Sequence, residues 1–230
     1  MLKQWEELPD FMKIPEVQPY WEILNKHRMQ LVLKRVFDVL TALIILIALG
    51  IPMAIIAILI KLDSKGTVFY RQERVTQYGR CFRIHKFRTM VSDADKIGST
   101  VTICDDSRIT RIGKKLRKLR LDELPQLFDV LAGDMSFVGT RPEVVKYVEQ
   151  YKPEYNATFL LPAGITSECS IKYKDEARLL NAADDVDKVY IKQVLPGKMK
   201  YNLESIYKFN LRGEILTMFQ TIFAVFRERT

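Results

Sequence analysis

Asp122 and Glu123 stand side by side in Leu121-Asp122-Glu123-Leu124-Pro125-Gln126-Leu127, and Arg141 follows in Gly139-Thr140-Arg141-Pro142-Glu143. A carboxylate can serve as a nucleophile, and the planar fork of an arginine suits a diphosphate. The pair has a plainer use, since Asp122 is a good helix N-cap and Glu123 suits a first turn beside the positive end of the helix dipole. Arg141 has one too, a salt bridge to Glu143. Pro125 fits the first turn of a helix running to about Leu131, and Gly133 just beyond it reads as a stop signal. The pair therefore sits at a helix mouth, where free backbone N–H groups stabilise a carboxylate and equally hold an incoming phosphate. A strand ending at Val138 and a turn at Gly139-Thr140 would bring Arg141 into place.

The elements around this stretch include an apolar run, Val39 to Ile60, twenty-two residues without a charge. At about 1.5 Å per residue its length is enough for a hydrocarbon core of about 30 Å. Gly50-Ile51-Pro52 interrupts it, because proline removes a helical N–H and sets its ring against the carbonyl of Ala48. Lys26, Arg28, Lys34 and Arg35 flank one end, and Lys61, Lys65, Arg71, Arg74 and Arg80 the other, so the positive-inside count favours neither side. If both flanks stay on one side, the segment enters and returns as a helix-break-helix hairpin with arms roughly 15 Å long. A spanning helix and a buried core helix are the alternatives. The run starts too far into the chain, with too poor a cleavage signal, for a secretory signal peptide.

The chain has 230 residues, a net charge of +8 and a pI near 9.3. Such a charge suits anionic headgroups, a nucleotide diphosphate or a lipid phosphate. Nucleic acid is not an expected partner, for there is no zinc spacing, recognition helix or aromatic RNA-binding signature. Cys81, Cys104 and Cys169 are isolated and odd in number, as reduced structural thiols would be. Beyond the apolar run and the N-terminal segment, about 160 residues remain, enough for one compact domain. Met1 to Pro19 is punctuated by prolines and reads as loose. Tyr20 to Lys34 carries Trp21, Leu24 and Leu31 on one face, as an interfacial helix or one packed on the domain. Thr67 to Arg71 and Cys81 to Phe87, around Gln77-Tyr78-Gly79, suggest a β-hairpin with Lys86 and Arg88 at its end. Asp106 or Ser107 can cap a basic helix with Ile109, Ile112, Leu116 and Leu119 on one stripe and Arg111 and Arg117 among its cations. Ile215, Leu216, Phe219, Ile222, Phe223 and Phe226 recur at helical spacing and are assigned mostly to the core, with the membrane interface as the alternative.

The Asp-Glu pair followed by Leu-Pro-Gln-Leu, with Arg141-Pro142 downstream, resembles the bacterial sugar transferase family of polyprenyl-phosphate phosphoglycosyl transferases. The likeness continues through Lys34-Arg35-Val36-Phe37-Asp38, Phe69 to Arg74, Lys86 to Met90, Arg108 to Arg117 and Leu161 to Thr166, covering roughly residues 34 to 170. The resemblance implies transfer of a sugar 1-phosphate from a UDP-sugar to undecaprenyl phosphate. Asp122 would be the nucleophile that carries the phosphosugar and Glu123 a ligand to Mg2+, with a general-base role for Glu123 as the alternative. Lys86, Arg88, Arg111, Arg117 and Arg141 would meet phosphates, Lys86 and Arg88 either that of the lipid or ordinary headgroups. It also implies a small monotopic form with a re-entrant hairpin, marked by Lys34, Arg35, Gly50 and Pro52, on the cytoplasmic face of a bacterial inner membrane. The departures are Thr140 where members often have proline, and Arg120 where a small hydroxyl residue is usual.

The expected fold is helix-rich α+β. It comprises an N-terminal extension and interfacial helix (1–34), a re-entrant membrane hairpin (35–62) and one cytosolic catalytic domain (63–230) with a small sheet and amphipathic interfacial helices. Lys172 to Lys200, with Asp184-Asp185 and Tyr190, has no motif and by exclusion is a place for sugar selection. The sugar is left open, and room remains for a homo-oligomer. A non-catalytic basic membrane adaptor, which would tolerate Asp122→Asn, and a nucleic-acid-binding membrane protein, which would show steep salt-dependent affinity for polyanions and no nucleotide-sugar turnover, are the competing classes.

Overall fold

The computed structural model describes residues 2–92, 94, 106–173 and 185–227, with side chains as far as 224. Cys104, Asp184 and the side chain of Phe226 lie outside the described residues. In chain order come α1 (Gln18–Lys26), α2 (Arg28–Asp63), β1 (Phe69–Val75), β2 (Cys81–Phe87), α3 (Arg111–Lys118) and a 3-10 turn (Leu121–Glu123). There follow α4 (Gln126–Ala132), β3 (Met135–Val138), α5 (Val145–Val148), a 3-10 stretch (Pro153–Leu160), β4 (Ala163–Thr166) and α6 (Glu168–Lys172). The chain closes with α7 (Val186–Val189), a π-helical turn (Tyr190–Val194), α8 (Leu195–Tyr207) and α9 (Leu211–Arg227). The class is the expected helix-rich α+β, with two separate two-stranded sheets.

β1 and β2 form the expected antiparallel hairpin, Phe69 opposite Phe87 and Val75 opposite Cys81. Tyr78 and Gly79 turn the chain with φ of 60° and 73°. Alternation on β2 sends Phe82 and Ile84 inward, and Phe87 is buried too, as one-sided burial of a strand requires. β3 and β4 make a parallel pair, Met135 beside Ala163 and Val138 beside Thr166. Gly139, just past β3, and Gly164 within β4 approach so closely that a Cβ on Gly164 would lie 2.2 Å from the Gly139 nitrogen. Only glycine permits that approach, and it fixes the point from which Thr140 and Arg141 leave the sheet.

α2 corrects the expected hairpin of two separate arms. The chain stays helical through Gly50-Ile51-Pro52, with Pro52 inside the helix and its ring on the exposed side. Lys34, Asp38, Ala42, Met53 and Ile60 form a buried stripe against the domain, at the three-to-four-residue spacing that keeps one helical face in contact. The opposite face exposes Leu40, Ile44, Ile47 (75 %), Ile51 (78 %), Ile55 and Ile58. That face distinguishes α2 from a core helix. It is long and apolar enough to cross a membrane, yet both of its ends are fastened to the same body.

At the first end, Lys34 donates to Val138 O (3.0 Å) and pairs with Glu214, while Asp38 accepts from Ser136 Oγ (2.7 Å). Arg35 caps the C-terminus of α4 through Val130 O (2.6 Å) and Leu131 O (3.1 Å), where a cation meets the negative end of the dipole. Lys34 and Arg35, expected as charges flanking a membrane segment, are thus internal fastenings. At the second end, Asp63 accepts from Ile112 N (2.9 Å) at the start of α3. Arg88 donates to Ser64 O (2.6 Å), Ser64 Oγ (2.9 Å) and Lys65 O (2.9 Å).

The N-terminal segment is not loose. Leu8, Met12 and Val17 are buried with Leu24 of α1 against Ala157, Leu160 and Ile206, and each such burial contributes about 1.5–3 kcal/mol. α1 accordingly packs on the domain, ends at His27 and gives way to α2, so no single helix runs from Tyr20 to Lys34. The basic helix α3 is capped by Thr110, which accepts from Gly113 N (3.0 Å), and not by Asp106 or Ser107. Asp106 instead closes on the backbone and guanidinium of Arg108. In α9 the assignment to the core fails for Leu216, Phe219, Ile222 and Phe223, all exposed. Ile215 is half-buried and Met218 packs on the β3–β4 core.

Candidate active site

Asp122 and Glu123 lie on the 3-10 turn between α3 and α4, not on a capped helix N-terminus as their sequence suggested. α4 begins at Gln126 after Pro125 and ends, as expected, on Gly133 in the left-handed region (φ 86°). The turn is set by Arg120, whose φ of 55° is unusual for a residue with a side chain. Such a conformation costs of order 1–3 kcal/mol and persists where the surrounding structure imposes it. Here it swings the chain from α3 so that both carboxylates face the end of β2.

Glu123 is buried (9 % exposed) among cations. Its Oε1 accepts from Lys86 Nζ (3.1 Å) and Arg141 NH2 (2.7 Å), and Arg120 approaches Oε2 at 3.8 Å. Burial pushes the Glu123 carboxyl up, but the Arg141, Lys86 and Arg120 charges outweigh it and hold the group well below the ordinary range. Asp122 behaves oppositely. Burial and the adjoining Glu123 charge raise its carboxyl against the pull of Lys86, Arg117 and Arg120. Burial also lowers the Lys86 ammonium, with Arg141 adding to the effect and Glu123 opposing it. The two adjacent acids are therefore driven apart, one a fixed counter-ion and the other a more basic carboxylate.

Asp122 Oδ1 is buried without a hydrogen-bond partner, and one helical turn on, both amide atoms of buried Gln126 are in the same condition. Buried polar atoms are rarely left unpaired. Three such atoms on residues i and i+4 mark a place built to receive a polar group. Sequence reading passed over Gln126, although it is part of the Leu-Pro-Gln-Leu run.

Of the cations expected to meet phosphate, Lys86 and Arg141 converge on Glu123, and Arg117 is among the charges acting on Asp122. Arg120, noted in the sequence only as a departure, joins them. Arg111 does not: its guanidinium is exposed and sits 4.0 Å from Asp63 at the end of α2. Arg88 is buried and spends its NH1 and NH2 groups on Ser64 and Lys65 at the end of α2. Alternation explains the split on β2, since Lys86 points to the dyad while the neighbouring His85 turns to Asp129 (Nδ1 to Oδ1, 2.6 Å). The anticipated Arg141–Glu143 bridge gives way to Arg141–Glu123.

A cleft of about 220 Å³ opens from Arg120, Glu123 and Arg141 between α2 and α9. Its walls are Ile45, Leu124, Leu127, Phe137, Ile165 and Ile171, with Thr221 and Ala224 contributed by α9. One end is cationic and the rest apolar. Ile45 and Ala224 belong to the two helices whose outer faces expose leucine, isoleucine and phenylalanine, so the cleft connects the charged site with the apolar surface.

No group of three or more His, Cys, Asp or Glu side chains suited to a metal occurs among the described residues. Mg2+ needs less, since it commonly takes one or two protein carboxylates and completes its shell with water and substrate phosphate. The partnerless oxygen of Asp122 and the ionised Glu123 fit that sparse requirement.

Sequence comparison extends the picture beyond the site. The family model for bacterial sugar transferases matches residues 29–228. The UDP-N-acetylgalactosamine-undecaprenyl-phosphate N-acetylgalactosaminephosphotransferase of Aeromonas hydrophila is 37% identical over 193 residues, covering 83% of this chain and 43% of that protein. The UDP-glucose:undecaprenyl-phosphate glucose-1-phosphate transferase of Escherichia coli is 34% identical over 199 residues, 84% of this chain and 40% of its own length. A putative undecaprenyl-phosphate N-acetylgalactosaminyl 1-phosphate transferase of Bacillus subtilis is 47% identical over 125 residues, 54% of this chain and 69% of its own. The chain thus spans less than half the length of two of these relatives, and the matched region contains the dyad, Lys86, Arg141 and α2. A match over that extent places the chain in the bacterial sugar transferase family.

Proposed function

We propose that the protein transfers a sugar 1-phosphate from a UDP-sugar to undecaprenyl phosphate, releasing UMP and forming the polyprenyl diphosphate sugar. The observation that carries this reading is Asp122, a buried carboxylate with a partnerless oxygen, next to a cation-clamped Glu123 that lines the head of an apolar cleft. Asp122 attacks the phosphorus that bears the sugar, and the bond to the UMP oxygen breaks as the new P–O bond forms. A phosphate oxygen of the lipid then attacks the same phosphorus and frees the Asp122 carboxylate. The lipid phosphate is already ionised near neutral pH, so its attack needs little proton removal, and Glu123 acts as counter-ion and metal ligand. Lys86, Arg141, Arg120 and Arg117 offset the charge that develops on the transferring phosphoryl group. Mg2+ bound through Asp122 or Glu123 would further neutralise the diphosphate. The relatives' names, with their polyprenyl acceptor and two different sugars, support the reaction class and leave the sugar open.

The acceptor's isoprenoid chain would occupy the apolar cleft and leave it between α2 and α9. With both ends of α2 fastened to one body, the unbroken helix would lie in the near leaflet, its exposed face and that of α9 in lipid, at the cytoplasmic face of a bacterial inner membrane. On this reading the transfer would be a first membrane step in surface-glycan assembly.

The test is release of UMP from a panel of UDP-sugars by nanodisc-held protein with magnesium, with and without undecaprenyl phosphate. Lipid-dependent release supports the reading, and silence across the panel from folded protein favours a non-catalytic adaptor. The pH profile of kcat/KM is expected to be bell-shaped. Its acid limb reports loss of the Asp122 carboxylate and lies above the ordinary aspartate range, because burial and Glu123 raise that group. Its alkaline limb reports loss of the Lys86 charge and lies below the ordinary lysine range, because burial lowers it. Lys86→Arg should move the alkaline limb upward and leave the acid limb in place; an unmoved alkaline limb would remove Lys86 from the profile.

A further inference from the structure

Arg141 is followed by Pro142 and Glu143, and Glu143 is buried with its carboxylate turned away from the dyad. Glu143 Oε1 accepts from Tyr190 Oη (2.5 Å) and Lys198 Nζ (3.2 Å), and Lys198 Nζ donates also to Tyr190 Oη (2.8 Å). The Tyr147 ring lies against Tyr190, centroids 4.5 Å apart, and the Tyr147 hydroxyl donates to Asp187 (2.6 Å). On the opposite side β1 grips the same two residues through their backbone, Val75 N donating to Glu143 O (3.0 Å) and Arg74 NH1 to Pro142 O (3.0 Å). Two structures that are distant in sequence thus close on the residues directly after Arg141. Tyr190 sits in a π-helical turn, a feature that recurs where a helix is adapted to function.

We propose that Glu143, Tyr190 and Lys198 are positioning residues for the transfer reaction, holding Arg141 at the phosphate site from behind. The proposal rests on the reading of Arg141 as a phosphate contact. Its physical basis is that a guanidinium on a long side chain aims well only if its backbone cannot shift, and misplacement by about 1 Å can cost on the order of a hundredfold in rate. A purely structural reading also exists, but a buried ion pair is a weak source of stability compared with apolar residues of the same volume. The triad also explains why Lys172 to Lys200, without any shared motif, bears on the site: it supplies Tyr190 and Lys198, and Asp185 caps α7, just before the π-helical turn that carries Tyr190, through Lys188 N (3.0 Å).

The experiment is a double-mutant cycle on the full chain in nanodiscs, with the UDP-sugar that the wild type turns over. Tyr190→Phe, and Glu143→Gln combined with Lys198→Met, are measured alone and in an Arg141→Ala background, below the melting temperature of each variant. Tyr190→Phe removes one hydroxyl, and the paired change removes both charges, so neither leaves one member of the Glu143–Lys198 pair without the other. Each is expected to lower kcat/KM about tenfold in the wild-type background and by less than about twofold once Arg141 is gone, because residues acting through one group are not additive. Wild-type kcat/KM in Tyr190→Phe and the paired variant, or equal losses in both backgrounds, would overturn the positioning role alone. A wild type silent on every donor would overturn the transferase reading and this role with it.

Discussion

Asp122→Asn is expected to lower lipid-dependent UMP release by at least about 10³-fold, equivalent to some 4 kcal/mol of barrier. The amide keeps the size and one oxygen of the carboxylate but cannot supply the electron pair that displaces UMP, and no neighbour can substitute. Glu123 lies adjacent, yet its Oε1 is shared by Lys86 and Arg141 and its carboxyl is held far below the ordinary range. A carboxylate so stabilised is a poor nucleophile. The variant should fold normally, since Asp122 Oδ1 has no partner to lose, and the charge removed is one that burial disfavours. A slightly higher melting temperature together with lost turnover would separate nucleophile from scaffold. Equal release by wild type and Asp122→Asn would exclude Asp122 as the attacking group.

Lys34→Met is expected to destabilise the fold by about 3–5 kcal/mol, the range for breaking a buried ion pair from one side. Lys34 is buried between Glu214 of α9, Asp38 one turn on (4.0 Å) and Val138 O (3.0 Å). Removing its charge leaves two carboxylates facing each other without a cation. Asp38 keeps Ser136 Oγ (2.7 Å), but Lys34 is the one cation that pairs with Glu214 among the described residues. Chemical denaturation in mild detergent would read the loss. Adding Asp38→Asn and Glu214→Gln should restore most of it, because the penalty comes from uncompensated charge and not from the methionine. A single variant melting like wild type would show that the Lys34 ion pair does not hold α2.

What could be read from the chain divides along sequence distance. The β1–β2 hairpin was visible because its signals are local, a turn at Gln77-Tyr78-Gly79 between alternating runs. The stop of α4 at Gly133 and the strand ending at Val138 were visible for the same reason. Of the site, the dyad, Lys86 and Arg141 were legible as motif residues, and the family likeness carried them. Long-range pairing was not legible. Arg88 and Lys86 are two residues apart and look alike, yet one ends on the last turn of α2 and the other on Glu123. Lys34 and Arg35 read as the edge of a membrane segment because nothing local announces Glu214 or the C-terminus of α4. Glu143 meets Tyr190 and Lys198 across 47 and 55 residues, and no spacing rule spans that interval. The N-terminal segment misled because prolines were taken as a sign of looseness, whereas Leu8, Met12 and Val17 supply enough buried surface to pin it.

The fastening of α2 at both ends bears on the kind of membrane in which the protein can work. A helix that crosses a bilayer must match its thickness, and it answers a mismatch by tilting or by deforming the lipid. A helix whose first turns are bound to β3 and α4, and whose last turn is bound to β2 and α3, measures no such distance. On the proposed membrane placement its depth would be set by those two fastenings, so the dyad would keep one height above the acyl chains. The proposed transfer would then depend little on the thickness of the surrounding bilayer.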